Sequence, residues 1–65
     1  MEVKKGQLFI FHTAGQEVKV EAQRKVKRGG KEYVESRLLE DIFGTVTFKK
    51  GSIHYFLPSF LTPAI

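Results

Sequence analysis

The sequence has no cysteine, no tryptophan and only two prolines. Its longest unbroken apolar run is residues 8–11. Without cysteine there is no disulfide framework and no thiolate metal site, a composition that suits a reducing compartment. A four-residue apolar run is far short of the ~20 residues of a membrane span. Residues 1–6 lack the apolar stretch of a secretory signal. These absences predict a soluble, cytoplasmic protein. Catalytic patterns are missing too. Ser36, Ser52 and Ser59 sit at ordinary turn or strand positions with no Gly-x-Ser-x-Gly context. Glu40 and Asp41 are adjacent, so they point in different directions and make a poor acid–base pair. No phosphate-binding glycine loop is present. His12 and His54 have no second ligand at metal-binding spacing. The expectation is a non-enzyme without metal or cofactor.

What remains is one small domain spanning residues 1–65. A folded chain of 7.4 kDa keeps roughly 4,200 Å² of surface, against about 10,700 Å² unfolded. Burying the difference returns on the order of 100 kcal/mol, and ordering the chain costs nearly the same. Such a fold needs a regular topology or a partner that adds buried area.

The net charge is +4, and it is concentrated. Residues 24–31 carry Arg24, Lys25, Lys27, Arg28 and Lys31 and no acidic residue. The rest of the chain has six basic residues against seven acidic ones, a net of −1. A local excess of this kind attracts polyanions. It also serves to keep an exposed hairpin soluble.

Glycines punctuate short alternating runs, and three hairpins are predicted. In residues 7–22, turning at Ala14-Gly15, Phe11 would face Val18, Phe9 would face Val20 and Gln7 would face Ala22. A one-residue slip would set phenylalanine against Lys or Glu, so the register is strongly specified. In residues 24–36, turning at Gly29-Gly30, Arg28 would face Lys31, Lys27 Glu32, Val26 Tyr33 and Arg24 Glu35. In residues 44–57, turning at Lys50-Gly51, Phe48 would meet Ile53, Val46 would meet Tyr55 and Gly44 would meet Leu57. Residues 17–28 would make a straight strand of about 40 Å, too long for so small a domain. A bend or bulge is therefore predicted near Gln23–Arg24, where the Val18, Val20, Ala22 alternation breaks. Residues 36–43 could form a short helix or a loop. The tail from Pro58 suits a 3₁₀ turn and a short closing edge strand.

This pattern predicts an all-β, five-stranded antiparallel SH3-like barrel. The alternative is an OB-like barrel with a short helix at 36–43. The stretch Thr13-Ala-Gly-Gln-Glu-Val-Lys-Val20 resembles the first turn and second strand of the SH3-like chromatin proteins of crenarchaea. Phe48-Lys-Lys-Gly51, Tyr55-Phe-Leu and Pro63-Ala-Ile65 loosely resemble that family's ending, and the pattern overlaps KOW- and Tudor-like barrels. The resemblance implies non-specific duplex-DNA binding through the sheet face and the basic hairpin.

Two functions follow as expectations. The first is nucleic-acid binding, to duplex DNA, through Arg24, Lys25, Lys27, Arg28 and Lys31, with Tyr33 either stacking on a base or packing on Val26. The second is protein interaction or self-association through Leu8 and Ile10. The register that buries Phe9 and Phe11 turns these two outward. Their cover is either a partner, the tail (Phe60, Leu61, Ile65) or the stems of Lys19 and Glu21.

Overall fold

The computed structural model describes residues 2–13 and 15–64. Five strands form: β1 (Leu8–Thr13), β2 (Gln16–Arg28), β3 (Lys31–Leu38), β4 (Ile53–Phe56) and β5 (Leu61–Pro63), with a 3₁₀ turn at Pro58–Phe60 before β5. They make one antiparallel sheet in the order β4-β3-β2-β1-β5. β4 and β5 are its two edges, so the sheet is open. Residues 36–43 form no helix: Ser36 to Leu38 complete β3, and Ile42 makes an isolated bridge to Phe48. Among the described residues no helix is long and apolar enough to cross a membrane.

The first hairpin has the expected register, with Phe9 opposite Val20 and Phe11 opposite Val18. The Ala22 amide donates to the Gln7 carbonyl at 2.8 Å and extends that pairing by one step. Of the turn, Ala14 lies outside the described residues, as does Ile65 of the tail. Alternation explains the register: one parity of β1 and β2 is apolar, and only this pairing buries both sets together.

β2 has thirteen residues. Straight, it would span about 43 Å, yet the molecule's longest extent is 28 Å. The strand bends at a bulge between Ala22 and Arg24, where Gln23 has no partner in β3. The Gln23 amide donates to the carbonyl and to the carboxylate of Glu21, at 3.1 and 3.0 Å, and steadies the kink. β2 thereby joins two hairpins lying in different directions, which is how one strand curls a sheet over a core.

The second hairpin turns at Gly29 and Gly30, with φ of +57° and +79°. Positive φ at both central residues matches the right-handed twist of the flanking strands, and only glycine adopts it without strain. An added Cβ at Gly30 would meet nothing within 4 Å, so a substitution there costs backbone strain alone. Gly30→Ala should lose about 1–2 kcal/mol, read as a lower urea midpoint with unchanged slope.

The third hairpin is a correction. Its turn exists: the Ser52 amide donates to the Lys49 carbonyl at 3.2 Å. The strands flanking it do not pair with each other. Gly51 and Ser52 bond to Leu38 instead, and β4 runs along β3, with Phe56 opposite Val34 and Tyr55 opposite Glu35. Residues 42–48 close their own loop through reciprocal Ile42–Phe48 bonds of 2.8 and 2.9 Å. The Gln16 side chain accepts from the Phe43 amide at 3.1 Å and donates to the Phe43 carbonyl, which fastens the loop to β2. The physical reason is competition. The β3 edge offers buried Val34, Ser36 and Leu38 as neighbours, whereas residues 44–47 offer a glycine and two threonines around Val46.

The core is Phe9, Val18, Val20, Ala22, Val34, Leu38 and Leu61. Ser36 is buried among them, opposite Ala22, and its hydroxyl donates to the Val34 carbonyl at 3.3 Å. β5 completes the core by pairing with β1, which sets Leu61 opposite Phe11.

Candidate nucleic-acid interface

The bulge decides which face each cation of the second hairpin takes. Directly opposite residues in an antiparallel pair share a face, and successive residues alternate. Before the bulge, the even positions Val18, Val20 and Ala22 face the core. After it, Lys25 is the cross-strand neighbour of buried Val34, so Lys25 and Lys27 share the core side. Arg24, Val26 and Arg28 turn to the outer face. Without the extra residue, Arg24 would be aimed into the core.

On that outer face Arg24 lies opposite Glu35, Val26 opposite Tyr33 and Arg28 opposite Lys31. β4 adds Tyr55 beside Glu35, and Ile53 beside Arg37. Glu35 is the hub. Its side chain is 17% exposed, and its carboxylate lies 3.4 Å from the Arg24 Nε. The Tyr55 hydroxyl donates to the same carboxylate at 3.1 Å. The Arg28 guanidinium sits over the Tyr55 ring, 4.8 Å from its centroid. Each contact is modest: an exposed ion pair contributes about 0–1 kcal/mol and an exposed cation–π pair about 0.5–1 kcal/mol. Their effect is to hold long side chains upright over the sheet. Four cations (Arg24, Arg28, Lys31, Arg37) stand around two half-exposed tyrosine rings and two carboxylates, Glu35 and the Glu21 opposite Arg37, so this half of the face carries +2.

The other half of the same face differs. There Glu17 and Lys19 of β2 cancel in charge. His12 bonds to Glu17 at 3.2 Å and to the Thr62 hydroxyl at 2.7 Å. The net positive charge of this face therefore belongs to the β2–β3–β4 half.

The structure thus divides the sequence candidates. Arg24, Arg28, Lys31 and Tyr33 come together on one face. Lys25 and Lys27 take the opposite side of the ribbon, in the row that includes Glu32. Leu8 and Ile10 do face outward from β1, but both are half-buried, with Ile10 flanked by Lys19 and Thr62. Two members of the basic face were not singled out from sequence. Arg37 follows Tyr33 and Glu35 at alternate positions of β3, so continued alternation would have placed it. Tyr55 carries no such signal, because the hairpin pattern of residues 44–57 pairs it with Val46. No protein-family model, curated protein or solved structure matches this chain.

Proposed function

We propose that this protein is a small, non-enzymatic nucleic-acid-binding module of the cytoplasm, which contacts duplex DNA through the outer face of β2, β3 and β4. One observation carries the reading: Arg24, Arg28, Lys31 and Arg37 share a sheet face with Tyr33 and Tyr55. Cations supply sequence-independent attraction to phosphates, and the tyrosine rings supply flat surface for a groove or a base edge. The glycine turn lets the ribbon's tip approach the backbone closely. The proposed fold type is an SH3-like barrel. The bent strand shared by two hairpins, and the 3₁₀ turn that leads the last strand back beside the first, support it.

A titration of labelled duplex at about 20 and about 200 mM salt tests the function. Four phosphate contacts give a slope near −3.6 in log K against log salt, hence a loss of three to four orders of magnitude over that range. Absence of binding at the lower salt refutes the proposal.

A further inference from the structure

We propose that the free edge of β4 is a self-association surface, on which two copies pair β4 with β4 antiparallel about a two-fold axis at His54 and join their sheets into one.

The hydrogen-bond pattern supplies the first argument. Leu38 donates to the Ser52 carbonyl at 3.0 Å. In an antiparallel ladder, hydrogen-bonded and non-bonded pairs alternate. The bonded pairs between β3 and β4 are therefore Ser36–His54 and Val34–Phe56, which leaves the amides and carbonyls of Ile53 and Tyr55 directed away from β3. Among the described residues these groups have no backbone partner. One two-fold register satisfies all of them: Ile53 opposite Tyr55 of the second copy, Tyr55 opposite its Ile53, and His54 opposite His54. Neighbouring registers draw in Gly51, whose amide already donates to Leu38, or Leu57, whose carbonyl already accepts from Phe60.

The second argument is the contrast between the two edges. β5 has three residues and ends in Pro63, which cannot donate to a ladder. β4 reads Ile-His-Tyr-Phe, with no lysine, carboxylate or proline to discourage pairing.

Area is the third. The chain exposes 4551 Å², roughly 350 Å² more than is usual for its mass. Phe43, Val46, Phe48, Ile53, Tyr55 and Phe60 are each 42–65% exposed. Of these, Ile53 and Tyr55 belong to β4 and the Phe48 ring meets its His54. These offer less than the about 800 Å² per partner of a standard interface, which marks the pairing as a weak one. The four β4 residues, with Ile42, Phe48 and, from β1, Phe11 and Thr13, line an open apolar hollow of about 410 Å³, so apolar surface adjoins the edge that the register would join. The partner is a second copy because the edge is self-complementary: the same two residues present both the donors and the acceptors.

The experiment is sedimentation equilibrium from about 10 μM to about 1 mM, the range of weak interfaces, with amide exchange followed by NMR across the same series. The expected result is a monomer–dimer equilibrium in which the Ile53 and Tyr55 amides become protected as dimer accumulates. Ile53→Pro removes an outward donor without touching the β3 ladder, and should weaken dimerisation at least tenfold while the fold persists. Two outcomes overturn the proposal. One is a monomer throughout the range, which includes the case in which the edge takes a strand only from another protein. The other is a dimer whose Ile53 and Tyr55 amides exchange freely. The exchange measurement uses the unaltered chain, so it decides the matter even if Ile53→Pro fails to fold.

Discussion

Replacing Phe9 with alanine should remove most of the protein's stability. Phe9 is 1% exposed. It is held between Val20 on one side and Pro63 on the other, so it ties β1 to both of its neighbours. Truncating a buried phenylalanine costs about 3–5 kcal/mol, through lost transfer energy plus the cavity left behind. A 65-residue domain has only about 3–10 kcal/mol in total. The thermal midpoint should fall by more than about 12 °C, or the variant should be unfolded at room temperature. Leu8→Ala is the internal comparison. Leu8 is adjacent in sequence but half-buried on the other face, and it should lose less than half as much. Near-equal effects of the two substitutions would mean that the face assignment of β1 is wrong.

The second large effect separates the two sides of the basic hairpin. Arg28 and Lys27 are neighbours in sequence with the same charge, but the alternation of β2 puts them on opposite faces. If the outer face binds duplex, Arg28→Ala should lower affinity roughly tenfold at low salt and reduce the salt slope by about one. Lys27→Ala should change both far less. A hairpin acting as a simple cloud of charge would lose affinity equally in the two variants. Tyr33→Ala adds the aromatic contribution, and its effect should be insensitive to salt. Equal losses for Arg28→Ala and Lys27→Ala would therefore keep nucleic-acid binding but reject the face assigned to it.

Much of this architecture was legible in the residues, and the reasons are particular. Phe9, Phe11, Val18, Val20 and Ala22 fix one register, because every slip exposes phenylalanine or buries charge. The paired glycines at 29 and 30 fix another through their backbone freedom. The break in alternation at Gln23 marked the bulge. What alternation cannot specify is which strand lies beside which. Residues 53–56 alternate equally well against 44–48 or against β3, and the turn at Lys50-Gly51 made the nearer partner the default. The structure favours the farther one, where the buried side chains are. That one choice keeps Tyr55 out of the sequence-derived site, and in the structure Val46 is exposed while Phe48 bridges Ile42 instead of Ile53.

The return of β5 to β1 bears on how the chain folds. His12 and Thr62, bonded across that junction, are fifty residues apart. The two hairpins of β1, β2 and β3 close over short loops, so they can assemble early. The β1–β5 junction joins remote parts of the chain and closes last. Changes within β5 should therefore speed unfolding and leave the refolding rate almost untouched, the kinetic signature of contacts made only after the barrier is crossed.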